Sequence, residues 1–319
     1  MNENKYKIGI IGLGPVGLTL AAHFKEAGCQ VFICDVDKDK VNLIRSHGVE
    51  LVGTIEKSIF FNHVFTSITE MLKNDVDILI SSVKAYHVQS AFDQVDEETC
   101  EKLFLLIAQN GIDLNRLYVP KFQESQILRM VINFAGNLNA PNVVNVTFFN
   151  PPNYVASIND THTEISVWIA EILSGVNLTT ISEDSFTITD KVWEKTILNA
   201  SLSPLCAISN LTMKEAMSHP DTFEIVEQII MEAMEVAKAE EIKLGDNFVK
   251  LCLRYLKNAG DHFPSLAVDL LSKKETEIDF FNGKIVKYGR KHYIRTPLNL
   301  TFTNLVKAIS HKNSQTGRE

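Results

Sequence analysis

An α/β domain followed by an all-helical domain is the fold that the sequence predicts, and three observations predict it. A short isoleucine-rich run, "KIGIIGL", passes through closely spaced glycines into a helical pattern. Further apolar runs of strand length recur as far as Ser157. From Thr187 onward the apolar residues follow the helical period, with no convincing strand. The boundary falls near Asp184 to Thr187, which gives a sheet domain over residues 1–185 and a helical domain over residues 186–319. At 319 residues the chain is long enough for two cores.

The first strand, Lys7 to Leu13, suits a buried parallel sheet because it is apolar without alternation. It runs into Gly12-Leu13-Gly14-Pro15-Val16-Gly17, and "LTLAAHFKEAG" then continues as a helix closed by Gly28. Strand, GxGxxG and helix in that order make a dinucleotide-binding turn of the Rossmann type. The first glycine permits the tight turn and the second lets backbone approach a pyrophosphate. The third lets helix and strand pack closely, and the helix N-terminus favours the phosphate charge. Pro15 fits the first helical turn, where its missing N–H is not needed. The next strand, "QVFICD", ends in Asp35, 18 residues after Gly17. An acid there accepts hydrogen bonds from the adenosine ribose hydroxyls. It favours NAD, since a 2′-phosphate would meet a carboxylate with no compensating arginine.

Two more strands, "VDILISS" and "LFLLIAQ", lead to Lys84 and to Gln109-Asn110-Gly111. Ligands of open α/β sheets sit beyond the carboxyl ends of the strands, so both ends place polar groups over a cofactor. "ILRMVINFAGNL", "VVNVTFFN" and "NYVAS" read as further strands and Thr163 to Leu173 as a helix.

Helices are expected in the second half at Lys191–Cys206, Phe223–Ile242, Asp246–Gly260, Thr276–Tyr288 and Asn299–Ile309, followed by a frayed polar tail. The methionines of "IIMEAMEV" read as core packing. In the first of these helices Lys195, Asn199 and Ser203 are spaced four apart and form one slanting stripe. Pro204 is expected to end or kink that helix. Ser265, Asp269, Glu277 and Asp279 follow around apolar positions in "PSLAVDLLSKKETEIDFFNG".

Composition excludes several classes. The net charge of −8 argues against a nucleic-acid partner, and no basic run marks a membrane surface. The glycines and proline near the start interrupt what would otherwise resemble a secretory leader, and no apolar stretch is long enough to span a bilayer. Five cysteines without CxxC spacing argue against zinc and disulfides and for a reducing, cytoplasmic setting, with no metal site expected.

The sequence resembles the ketopantoate reductase (2-dehydropantoate 2-reductase) family over nearly its whole length. The resemblance rests on the glycine turn, Lys84 and Gln109-Asn110-Gly111. It continues through Trp193-x-Lys195-x-x-x-Asn199 with Pro204-Leu205, Ser265-x-x-x-Asp269, Glu277-x-Asp279, Asn282-Gly283 and Thr296-Pro297. It implies a Rossmann domain, a helical domain, and reduction of a 2-oxo acid to an R-configured 2-hydroxy acid in the cleft between them. It implies Lys195 as general acid, Asn199 orienting substrate or lysine, and Glu277 hydrogen-bonding in the same cluster. Ser265 is implied to contact the substrate carboxylate. Asn110 is implied near the nicotinamide ribose, and Lys84 beside the cofactor.

The chain also departs from the family pattern. Ser203 replaces an asparagine before Pro-Leu, Met213 stands at a second asparagine and His262 at a third, and "NVTFFNPPNYVASI" replaces a Gly-rich segment. These departures imply a less polar pocket. The expected substrate is therefore 2-dehydropantoate or a bulkier branched or aromatic 2-oxo acid, as in a D-mandelate-dehydrogenase-like branch, with Ser203 among the substrate contacts. NAD is the expected cofactor, NADP the alternative, and a homodimer the expected assembly. Competing readings are a β-hydroxyacid or opine-type dehydrogenase and a non-catalytic NAD(H) sensor.

Overall fold

Residues 5–316 are described by a computed structural model with two compact units. The first comprises the chain through Gln109 and Asp113–Ile188. The second comprises Asn110–Ile112 and the chain from Thr189 onward.

The strands of the first unit are β1 (Ile8–Ile11), β2 (Val31–Cys34), β3 (Val49–Gly53), β4 (Lys57–Ile59), β5 (Val64–Phe65), β6 (Ile78–Ser81), β7 (Phe104–Ile107), β8 (Ile127–Val131), β9 (Phe134–Ala140), β10 (Val143–Phe149), β11 (Asn153–Ser157) and β12 (Thr180–Ser182). Its helices are α1 (Pro15–Glu26), α2 (Lys38–His47), α3 (Ile68–Leu72), α4 (Val88–Phe92), α5 (Glu97–Glu101) and α6 (Thr163–Gly175). Eight strands form one sheet in the order β12-β11-β8-β7-β6-β1-β2-β5, parallel throughout except where β11 runs against β8. β1, β2 and β6 are buried at every residue, as their unbroken apolar runs require of a sheet covered on both faces. Register places Ile11 opposite both Cys34 and Ser81, so Gly12, Asp35 and Ser82 emerge together at one edge of the sheet.

The other four strands make a second sheet, ordered β4-β3-β10-β9. α1 packs against β1 and β2 and also against this second sheet, which explains why it is buried continuously from Gly17 to Phe24. The expected strand "ILRMVINFAGNL" is two strands, β8 and β9, one in each sheet. Between them, Asn133 donates its backbone N–H to Asn153 Oδ1 and its amide to the Pro152 carbonyl, fixing the turn.

The second unit holds most of α7 (Ser185–Ser209), then α8 (Met213–Ser218), α9 (Pro220–Ala239), α10 (Phe248–Lys257), α11 (Ser265–Leu271), α12 (Asn282–Lys291) and α13 (Pro297–Thr316). Among the described residues no strand follows β12. α9 turns Val226, Ile229, Ile230, Ala233, Val236 and Ala237 to the core. The methionine stripe lies at the edge of that face: Met231 is exposed, while Met234 is partly buried and packs against the core. The helix expected over Thr276–Tyr288 is instead a 3-10 turn, Ile278–Phe280, followed by α12. The tail is helical as far as Thr316, and residues 317–319 lie outside the described part. All five cysteines are buried free thiols. No helix among the described residues is long and apolar enough to cross a membrane.

Candidate active site

The three glycines of the turn differ in what a side chain would meet there. Gly12 has φ +83°, and a Cβ there would lie 2.7 Å from the Val83 backbone nitrogen. At Gly17 a Cβ would lie 2.1 Å from the Gly12 carbonyl oxygen, so this glycine serves packing inside the protein. Gly14, the N-cap of α1, differs: a Cβ there would meet nothing within 4 Å. Pro15 and Val16 open the helix behind it. Ser82 braces the turn from β6, its hydroxyl donating to the carbonyls of Ile11 and Gly12 at 3.0 and 2.6 Å. Gly14 thus leaves open space at the N-terminus of α1, where a helix favours negative charge.

Asp35 is tied to the same turn. Its Oδ2 accepts the Leu13 backbone N–H at 2.8 Å and its Oδ1 accepts that of Asp37 at 3.0 Å. Lys40, in the first turns of α2, pairs with Oδ2 at 3.1 Å, and the two side chains are only 12% and 14% exposed. The carboxylate therefore does have a compensating cation, a lysine on the following helix rather than the arginine whose absence favoured NAD. Lys40 stands five positions after the acid, but its pairing with Asp35 depends on how α2 leaves β2.

At the neighbouring strand ends Ser81 receives hydrogen bonds from the Tyr118 hydroxyl at 2.7 Å and the Gln109 amide at 3.1 Å. Gln109 Oε1 is buried and unpartnered among the described residues. Ser81 and Ser82 are thereby engaged in holding the edge itself. Tyr118, and Arg129 on β8 with its acidity raised by burial to a pKa of about 10, belong to this buried polar edge and were not singled out from sequence. Lys84 caps the 3-10 turn Ala85–His87 and is partly buried. Asn110 and Gly111, the latter at φ +128°, cluster with the helical unit, where the Ile112 N–H donates to the Phe280 carbonyl at 3.2 Å.

In the second unit α7 carries Lys195, Asn199 and Ser203 on one stripe, its other faces sealed by Trp193, Ile197, Ala200 and Leu202. Burial pulls the Lys195 pKa down from 10.5 to about 8. Among the described residues no carboxylate or other hydrogen-bond partner meets its ammonium. Glu277 caps the 3-10 turn, its carbonyl accepting the Phe280 N–H at 2.9 Å. An ion pair would raise the lysine pKa, so the depressed value belongs to the unpaired amine. Asp279 is a structural partner, accepting Lys307 at 2.9 Å. Asn199 is partly buried, Ser203 only 6% exposed, and Ser265 exposed at the start of α11. Met213 opens α8 and its N–H donates to the His262 carbonyl at 3.0 Å, joining two of the positions that depart from the family pattern.

Two family models cover the chain: Ketopantoate reductase PanE/ApbA over residues 8–159 and Ketopantoate reductase PanE/ApbA C terminal over residues 187–310. The chain belongs to the ketopantoate reductase family. It is an oxidoreductase fold in which the first model covers the glycine turn and the second covers α7. Among curated relatives, the 2-dehydropantoate 2-reductase of Streptococcus pyogenes serotype M3 is 25% identical over 304 residues, covering 94% of this chain and 96% of that one. That of Aquifex aeolicus is 26% identical over 308 residues, with 95% and 96% covered. Among solved structures, D-mandelate dehydrogenase with NADH and anilino(oxo)acetate superposes with a TM-score of 0.85 at 24% identity, covering 97% of this chain and 99% of that one. The ketopantoate reductase from Ralstonia eutropha JMP134 gives 0.84 at 23% identity, with the same coverage. These likenesses show the shared ketopantoate reductase fold.

Proposed function

We propose that the protein reduces a 2-oxo acid to the R-configured 2-hydroxy acid with a nicotinamide cofactor, and that Lys195 is its general acid. The observation that carries this reading is an unpaired lysine whose pKa burial brings to about 8, one helical turn before an asparagine. An ammonium near neutrality in its acidity is suited to protonating a carbonyl oxygen as charge develops there.

Gly12, Gly14, Pro15, Val16 and Gly17 would hold the pyrophosphate, and Asp35 the adenosine ribose. Lys84, Asn110 and Gly111 would lie at the nicotinamide end. When bound, the cofactor supplies the hydride that forms the new C–H bond at C2. Lys195 gives its proton to the carbonyl oxygen, so one N–H bond breaks, one O–H bond forms and the lysine is left neutral. Asn199 donates its amide to orient the substrate, Glu277 accepts the nascent hydroxyl, and Ser203 and Ser265 contact the carboxylate. Asn110 also borders the substrate.

NAD(H) is the proposed cofactor, because Lys40 offsets one negative charge of Asp35 but leaves little for a 2′-phosphate. A branched or aromatic 2-oxo acid is proposed over 2-dehydropantoate, on the strength of Ser203 and Met213 standing at polar positions of the family. The relatives named 2-dehydropantoate 2-reductase and the mandelate dehydrogenase neighbour supply the two ends of the substrate range. A cytoplasmic homodimer is proposed, supported by five buried cysteines without CxxC spacing and by a Staphylococcus aureus neighbour described as dimeric. The test is a panel of 2-oxo acids with NADH and NADPH, run on the parent and on Lys195→Met. Loss of reduction with NADH affinity retained is expected. Preference for 2-dehydropantoate with NADPH would overturn the substrate and cofactor assignments, and full activity in Lys195→Met would overturn the mechanism.

A further inference from the structure

Pro204 sits inside α7, yet the helix runs on to Ser209. Proline has no N–H to give to the carbonyl four residues earlier, and its ring crowds that carbonyl. The orphaned acceptor is Ala200 O, the residue after Asn199 and midway along the Lys195–Ser203 stripe. It is not left bare: the side-chain amide of Asn282, the first residue of α12 and wholly buried, donates to it at 2.9 Å. A carbonyl can only accept, so this contact also fixes which end of the Asn282 amide faces α7. The same nitrogen reaches Asn299 Oδ1 at 3.0 Å, and the Asn299 amide donates to Glu232 Oε2 at 2.7 Å. Glu232 in turn accepts the Leu298 and Asn299 N–H groups at 2.9 and 3.0 Å, capping α13. One amide therefore replaces a missing backbone donor and is itself held by α9 and α13.

We infer that Asn282 is a positioning residue for the stripe on α7: it stands in for the N–H that Pro204 lacks and keeps Ser203 in helical register with Lys195 and Asn199. The inference rests on the reductase reading for its catalytic consequence only. Side chains reach about 5–6 Å from a helix axis, so an error in twist of about 20° across this turn moves the Ser203 hydroxyl by ~2 Å relative to Lys195. Misplacement on that scale is worth about 100-fold in rate at a reacting centre.

Pro204→Ala restores the backbone donor and so makes Asn282 dispensable for the helix, which gives the test. In Asn282→Ala, kcat/KM for the 2-oxo acid is expected to fall about 10- to 100-fold with the NADH Kd unchanged, and Tm to drop. Adding Pro204→Ala should return kcat/KM to within about threefold of the parent and recover at least half of the lost Tm. Pro204→Ala should not rescue Asn299→Ala, which leaves the α7 contact in place. If Asn282→Ala yields no folded protein, recovery of folded protein in the double variant supports the inference and its absence overturns it. Unchanged kcat/KM in Asn282→Ala, or a double variant as impaired as the single, also overturns it. A parent that reduces no 2-oxo acid refutes the functional reading alone, because the Tm cycle still reports whether residues 204 and 282 share one donor role.

Discussion

Replacing Lys195 by methionine is expected to abolish reduction and to stabilise the protein in the same step. Burial lowers the lysine pKa from 10.5 to about 8. Each tenfold change in acidity is worth ~1.4 kcal/mol, so the charged form is penalised by about 3 kcal/mol in the native state. Between about pH 8 and 10.5 the unfolded chain holds a proton that the native chain has released. Native stability therefore rises with pH across that window, and the whole penalty is present below about pH 8. Lys195→Met, similar in length and uncharged, should unfold at higher denaturant concentration than the parent at pH 7, by up to about 3 kcal/mol, the gain vanishing toward pH 10.5. The rate of reduction should fall about 100- to 10,000-fold. In the parent, kcat/KM should be level below about pH 8 and decline above it, while oxidation, which needs the neutral amine, should rise through the same midpoint. Denaturant melts of both proteins at pH 7 and pH 10 provide the assay. A methionine variant that is less stable than the parent at pH 7, or a gain identical at the two pH values, refutes the reasoning.

The glycines of the turn should separate binding from folding. Gly14→Ala, whose Cβ meets open space, should keep the parent Tm and lose NADH binding, whereas Gly17→Ala, at 2.1 Å from a carbonyl oxygen, should be markedly destabilised; equal Tm values would contradict this. Lys40→Gln should weaken NADPH by about tenfold, ~1.4 kcal/mol, with a much smaller change for NADH, and Asp35→Asn should improve NADPH. Titrations showing equal losses for both cofactors would dismiss the Asp35–Lys40 pair as a discriminator. His23, fully buried in α1, has its pKa lowered by burial from 6.5 to about 4. The unfolded chain takes up that proton first, so stability should fall as pH drops from 6.5 to 4, by about 3 kcal/mol in all. His23→Leu should flatten that slope in urea melts, and an unaltered slope would rule out His23 as its source.

The glycine turn was legible because every residue in it answers to a local steric or electrostatic demand that sequence spacing records. The stripe on α7 was legible for the same reason, since helical period alone aligns Lys195 with Asn199 and Ser203. What was hidden depends on partners distant in the chain. Nothing near Pro204 reveals that Asn282 will supply its missing donor, so the helix was expected to end or kink there. The strand read across "ILRMVINFAGNL" divides because Asn133 binds at Asn153 and Pro152, 20 and 19 residues away. The second sheet was missed because β3 and β4 are short and half exposed, and gain meaning only when β9 and β10 pair beside them. The Lys40 contact follows from how α2 leaves β2, a geometry that residue types alone do not state.

The buried cysteines make the protein its own stopwatch. Burial pushes the thiols of Cys29 and Cys100 up to about 11 and those of Cys34, Cys206 and Cys252 up to about 12. At neutral pH almost none is in the nucleophilic thiolate form, and none lies on the surface, so an alkylating reagent reacts only during excursions that expose them. Three of the five lie in the sheet unit and two in the helical unit. The rate at which each is captured measures how often its own unit breathes open, with no label added to either.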